Sequence, residues 1–284
     1  MATDMTFSEV IEKIQAADMV LVGLGEAFDD ISFLKKDEVY RNGRNVLEES
    51  GQLWLLPAYD EWHRGRFPER KALLEDALRT LAVALDGKNY FVVSTSVNDM
   101  LEDISWREGR LVRPCGGGRK KQCADNCGGD VLDLMQDDRK TIAEYFERLE
   151  KRMSDISADL ENNHESNPGI EALQLDLQEC PQCGRPYILN NIFAEKYDEA
   201  GYLSQWQLYT KWLQGTLNKK LVILELGVGM KFPSVIRWPF EKVAFFNQKA
   251  EFYRVDANLY QMSEELKEKG VSIAKNAIDW LRGM

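Results

Sequence analysis

Apolar positions along this chain follow two rhythms. Residues 7–17 place Val10, Ile11 and Ile14 on one side of a helical repeat and predict an amphipathic helix. Asp18 then precedes Met19-Val20-Leu21-Val22, an unbroken apolar run that passes directly into Gly23-Leu24-Gly25. Such a run, ended by glycine, is the pattern of a strand covered on both faces, as in a parallel sheet. Over 69–86, Leu73, Leu74, Leu78, Leu81 and Leu85 recur at three- and four-residue spacing, and Gly87 stops the helix they predict. Tyr90-Phe91-Val92-Val93 reads as the next buried strand. A third, Leu221-Val222-Ile223-Leu224, follows an aromatic-rich helix over 202–214 and runs into Glu225-Leu226-Gly227-Val228-Gly229. Residues 243–246 and 252–255 predict two more strands, and the tail 272–284 a helix. Apolar strands alternating with helices at both ends of the chain predict an α/β fold: a doubly wound parallel sheet with helices on both faces.

The middle of the chain breaks this rhythm. Residues 115–129 are rich in glycine, cysteine and lysine, and 131–165 predict a charged helix with Leu132, Leu134, Ile142, Phe146 and Leu149 as its seam. Leu173, Leu175 and Leu177 alternate as in a strand, and Cys180-Pro181-Gln182-Cys183-Gly184 makes a tight turn. The economical division is a discontinuous sheet domain, 1–110 with 205–284, interrupted by a small cysteine module over 111–204. A helical segment, 26–68, caps the cleft. His63 within it reads as structural or partly exposed, and His164 as a surface residue in a polar loop.

Charge narrows the function. The 284 residues carry 36 lysines and arginines against 47 acids, a formal net charge of −11. Bulk attraction to nucleic acid is excluded on that balance, so an anionic ligand must be held locally by backbone N–H groups. No run reaches the roughly 18–20 apolar residues of a membrane span, and the first dozen residues lack the basic flank and apolar stretch of an export signal. The five cysteines are odd in number and confined to 115–183. These features predict a reduced, cytoplasmic protein with a metal cluster.

Cys123-x-x-x-Cys127 and Cys180-x-x-Cys183 form two close pairs, suited to a tetrahedral structural Zn2+ held by four thiolates. Cys115, the fifth sulfur, is an alternative to Cys123 or Cys127. Gly23-Leu24-Gly25 after a strand is half of a dinucleotide fingerprint. Glu26 sets a negative charge where a phosphate would sit, so this turn taken alone also reads as a plain strand-to-helix connection. The second glycine turn, Gly227-Val228-Gly229, favours a ligand lying across several strand ends.

Together these pieces resemble the sirtuins, NAD-dependent protein deacylases and ADP-ribosyltransferases in which a Rossmann-like sheet carries an inserted four-cysteine zinc module. The resemblance extends over essentially the whole chain. Leu224 to Gly229, followed by Pro233 and Ile236-Arg237-Trp238-Pro239-Phe240-Glu241, is most similar to the macrodomain-linked microbial branch, implicated in ADP-ribosylation of a lipoyl-carrier protein. It implies NAD and Zn2+ as cofactors and an acylated or lipoylated carrier protein as acceptor. Gly23, Leu24, Gly25, Glu26, Ser94, Gly227, Val228 and Gly229 would line the cofactor, with Asp256 accepting from an adenosine ribose hydroxyl. The family's Thr-x-Asn-x-Asp turn becomes Ser94-Thr95-Ser96-Val97-Asn98-Asp99, which would present Ser96, Asn98 and Asp99 to the nicotinamide end. The family's histidine-glycine base becomes Cys115-Gly116; the macrodomain-linked branch also replaces that histidine, with glutamine. Two functions follow as expectations: an NAD-dependent protein ADP-ribosyltransferase (or deacylase) with altered catalytic residues, or a catalytically inactive NAD/ADP-ribose-binding sensor or interaction module.

Overall fold

The structure is a computed structural model and describes residues 3–161, 175 and 177–284. Its strands are β1 (Met19–Leu24), β2 (Tyr90–Ser94), β3 (Leu111–Val112), β4 (Gly116–Cys123), β5 (Leu132–Asp133), β6 (Tyr187–Asn191), β7 (Leu221–Leu226), β8 (Ala250–Val255) and β9 (Gly270–Ile273). Its helices are α1 (Phe7–Ala16), α2 (Glu38–Glu49), α3 (Leu56–Arg64), α4 (Pro68–Ala84), α5 (Met100–Asp103), α6 (Gln136–Glu161), α7 (Leu203–Gln214), α8 (Arg237–Phe246) and α9 (Ala277–Leu281). They form two compact units, one of Met1–Asp30, Glu69–Cys115 and Tyr202–Met284, the other of Ile31–Pro68 and Gly116–Gly201.

The first unit is the predicted doubly wound sheet. Six parallel strands lie in the order β3-β2-β1-β7-β8-β9. Every residue of β1, β2 and β7 is buried, because helices cover both faces. Successive side chains of a strand point to opposite faces, and each set has its own core. Val20, Val22, Leu24, Val92, Val222 and Leu224 pack with α1, α4 and α9, whereas Leu21, Phe91, Val93 and Ile223 pack with α7 and α8. Helix α1 starts on a capping box: the Thr6 side chain accepts from the Glu9 N–H and the Glu9 carboxylate from the Thr6 N–H. That arrangement satisfies two of the amide donors a helix start leaves over.

Three expectations need correction. Residues 243–246 are the last turn of α8, not a strand. Phe240 and Ala244 face the sheet while Phe245 and Phe246 are exposed, a helical spacing that a four-residue apolar run cannot reveal. The tail is not helical throughout, since β9 pairs parallel to β8 and only Ala277–Leu281 is helix. Leu132 and Leu134 precede α6, and Leu132 lies in β5.

The second unit joins an antiparallel sheet, β5-β4-β6, to α2, α3 and α6. Its core gathers Tyr40, Leu47, Tyr59, Ile142, Tyr145, Phe146 and Leu149, so the predicted seam of α6 holds from Ile142 onward. Leu175 and Leu177 lie outside any strand; Leu173 and His164 fall outside the described residues. Among the described residues no helix is long and apolar enough to cross a membrane.

Candidate active site and metal centre

All six parallel strands direct their carboxyl ends to one edge of the sheet, and strand order reverses between β1 and β7. Open α/β sheets bind ligands at such a switch point. The two glycine turns meet there, backbone against backbone. Gly25 N–H donates to Leu226 O (2.9 Å), Ala27 N–H to Gly227 O (3.1 Å), and Gly227 N–H to Val255 O (2.8 Å). A Cβ on Gly25 would lie 2.1 Å from Gly227 O. Gly227 has φ of +57°, and a Cβ there would lie 2.4 Å from that of Ala27. Gly23 has a different cause. Its missing side chain admits Ile236 and Phe240, so helix packing accounts for it. Leu24 is buried, its carbonyl accepting from the Ser94 hydroxyl (3.1 Å) and the Thr95 N–H (3.0 Å).

The turn after β2 is braced by the segment that follows β1. Asp29 accepts from Ser96 Oγ (2.7 Å) and Val97 N–H (2.9 Å). Asn98 Nδ2 donates to Phe28 O (2.9 Å) and its Oδ1 accepts from Met100 N–H (3.1 Å), so both ends of that amide are engaged. Arg113 Nη1 donates to Asp99 (3.1 Å) and Glu102 (2.6 Å). Cys115 is 2% exposed, and burial together with the Glu26 and Asp29 carboxylates pushes its thiol up to about 12. It therefore stays protonated at neutral pH and cannot serve as a base. Asp256, just past β8, accepts from the N–H groups of Asn258 (2.8 Å) and Leu259 (2.7 Å), closing its own loop.

Several residues that shape this edge carry no local signal. Glu225, 1% exposed, accepts from Arg254 Nε (2.7 Å) and Nη2 (3.0 Å) and lies 3.3 Å from Arg237 Nη1. Arg254 also donates to Glu241 (2.7 Å) and Gln261 O (2.6 Å). Arg237 donates to Val228 O (2.8 Å) and Leu259 O (2.6 Å), tying the β7 glycine turn to the loop after β8. What the chain does show is Glu225 as the one charged residue of β7; β8 carries Glu251 as well as Arg254 and singles out neither. Glu225 and Arg254 sit opposite one another in register.

Buried polar atoms at this edge lack partners among the described residues: Glu26 Oε1, Thr95 Oγ1, and Nε and Nη2 of Arg113. An unsatisfied buried polar atom costs about 1–3 kcal/mol.

The second unit carries the candidate metal centre, a cluster of four cysteines. Cys123 ends β4 and Cys127 follows it, while Cys180 and Cys183 stand in the turn before β6. Their four sulfurs lie within 4.8 Å of one another, with Cys123–Cys183 at 3.4 Å and Cys127–Cys180 at 3.6 Å. Zn–S bonds of about 2.3 Å put the sulfurs of a tetrahedral site about 3.8 Å apart. The donor set and its spacing fit a zinc ion. Gly184, at φ +71°, supplies the left-handed residue that folds the turn back, its N–H donating to Cys180 O (2.8 Å). Cys115 is not one of the four; it belongs to the parallel-sheet edge.

No family model matches the chain. It is 21% identical over 280 residues to a protein ADP-ribosyltransferase of Staphylococcus aureus, covering 93% of this chain and 82% of that protein. It is 25% identical over 248 residues to a probable bifunctional ADP-ribose hydrolase/ADP-ribosyltransferase of Fusarium oxysporum f. sp. cubense. That match covers 81% of this chain but spans only 38% of the fungal protein. Among solved structures, a mutant Sir2 homologue in complex with ADP-ribose superposes with a TM-score of 0.50 at 10% identity, over 96% of this chain and 94% of that one. The fold is sirtuin-like.

Proposed function

We propose that the protein is a sirtuin-like, NAD-dependent protein ADP-ribosyltransferase. The observation that carries this reading is the set of buried polar atoms on Glu26, Thr95 and Arg113 that lack partners among the described residues, on the loops that follow β1, β2 and β3 at the carboxyl edge of a sirtuin-like sheet. Similarity to two ADP-ribosyltransferases supports it. NAD, when bound, supplies the ADP-ribosyl group and releases nicotinamide. The turns Gly25–Glu26 and Gly227–Gly229, with Ser94 and Asp256, hold that cofactor, and Gly23 serves it only by letting α8 pack on β1 beneath the turn; Ser96, Asn98 and Asp99 shape its nicotinamide end. The acceptor is a protein, of which an acylated or lipoylated carrier is the class the resemblance implies.

The chemistry of Cys115 separates transfer from deacylation. Deacylation needs a base to activate a ribose oxygen, a contribution typically worth about 10²–10⁴ in rate. A thiol raised to about 12 cannot supply it. Direct transfer, in which the nicotinamide bond breaks dissociatively and the acceptor arrives with its own nucleophile, loses less. One observation favours a second reading, a non-catalytic NAD or ADP-ribose sensor: both ends of the Asn98 amide are engaged within the protein, Nδ2 by Phe28 O and Oδ1 by Met100 N–H.

Calorimetric titration with ADP-ribose and an assay of nicotinamide release from NAD test both readings. Release, unchanged in Cys115→Ala, is the expected result. Binding without release leaves the sensor, and no binding of ADP-ribose at millimolar concentration refutes both.

A further inference from the structure

Resting on the reading of this edge as an ADP-ribose site, we propose that Glu26 contacts the ligand and accepts a hydrogen bond from one of its ribose hydroxyls. By the same geometry, no phosphate lies on the β7 glycine turn. Glu26 is the first residue past the β1 turn, and its two carboxylate oxygens have different fates. Oε2 accepts from Gly229 N–H at 2.8 Å, and a Cβ on Gly229 would come within 3.1 Å of it. The carboxylate is thereby anchored. Oε1 is buried and has no hydrogen-bond partner among the described residues. An ionised carboxylate only accepts, so this oxygen calls for a donor.

The same contact argues against phosphate. Gly229 N–H is the donor that a glycine turn would offer a pyrophosphate, and an anion of the protein already holds it. A second anion beside the carboxylate would meet like charge at contact distance. A neutral hydroxyl meets none and satisfies Oε1. Acidic side chains take this part toward ribose diols in dinucleotide-binding sheets, though from a different place in the chain. Cys115 cannot substitute, since its buried thiol is a weak acceptor.

The test is calorimetric titration of the full-length wild type, Glu26→Gln and Glu26→Ala with ADP-ribose and, separately, inorganic pyrophosphate, with thermal melts to verify folding. Glu26→Ala should bind ADP-ribose about 10- to 100-fold more weakly, the loss expected for a hydrogen bond to a charged group. It should bind pyrophosphate more tightly than wild type, because Gly229 N–H is freed. Glu26→Gln, which keeps the shape but not the charge, should weaken ADP-ribose binding by less and decides the matter if the alanine variant does not fold. Equal or tighter ADP-ribose binding by both variants overturns the proposal and leaves the functional reading standing. Absence of ADP-ribose binding by wild type overturns both.

Discussion

Removing the Glu225 carboxylate probes what holds the candidate site together. In Glu225→Ala, Arg254 loses its contacts at 2.7 and 3.0 Å, and Arg237 loses its neighbour at 3.3 Å. Both guanidinium groups remain in place, 2% and 8% exposed. Breaking a buried pair from one side costs about 3–5 kcal/mol, because the surviving charge is stranded. The lower end applies here. Arg254 keeps Glu241 and Gln261 O, and Arg237 keeps Val228 O and Leu259 O. For a domain of roughly 150–250 residues, 1 kcal/mol moves Tm by about 2–4 °C, so the expected fall is about 6–12 °C. Scanning calorimetry reads it. The double variant Glu225→Leu with Arg254→Met should recover most of the loss, since it removes the desolvation cost along with the attraction. A single-variant shift below about 2 °C, or a double variant no more stable than the single, refutes the argument that a buried charge network braces this edge.

Elemental analysis should find about one zinc per chain, and Cys180→Ser or strong chelation should unfold the antiparallel-sheet unit while the parallel sheet keeps its far-ultraviolet signal; retention of both units without metal would exclude a structural role. His63, 1% exposed with Nε2 3.3 Å from Glu150 Oε1, has its pKa lowered by burial and by Arg66. The unfolded chain protonates near 6.5 and the folded one resists, so stability is complete above that pH and falls as the pH is lowered through it, by up to about 1.4 kcal/mol per pH unit. Urea midpoints at pH 7.5 and 5.5 should therefore differ more in wild type than in His63→Gln, and equal differences would count against the buried histidine. Gly25→Ala places a carbon 2.1 Å from Gly227 O, which no rotamer relieves. Overpacking costs typically about 1–3 kcal/mol, and the parted turns should also lose ADP-ribose affinity in calorimetry; wild-type affinity in this variant would show that the turns can separate freely.

Much of the fold was legible along the chain because burial has a period. The strands of the sheet's centre announced themselves as apolar runs ending in glycine, and the metal centre as two cysteine pairs, since both are patterns of neighbouring residues. Where two structures share one local pattern, the chain was silent: 243–246 is apolar whether it ends a helix or forms a strand. The weak β9, with Gly270, Val271 and Ser272 only part-buried, showed no run at all.

The sequence alone determined that a parallel sheet would alternate with helices, that four sulfurs would be presented in two pairs, and that glycine turns would follow β1 and β7. Only the tertiary structure decided what those turns are for. Gly23 answers to α8, Gly25 to the backbone of Gly227, and Gly229 to the Glu26 carboxylate. It alone set Glu225 against Arg254 and Arg237, and Asp29 beneath Ser96 and Val97. The reason is physical. Periodicity records whether a side chain meets water, which each residue feels locally. Which polar group meets which is settled by strand order, and here that order lays β1 beside β7 although about two hundred residues of chain separate them.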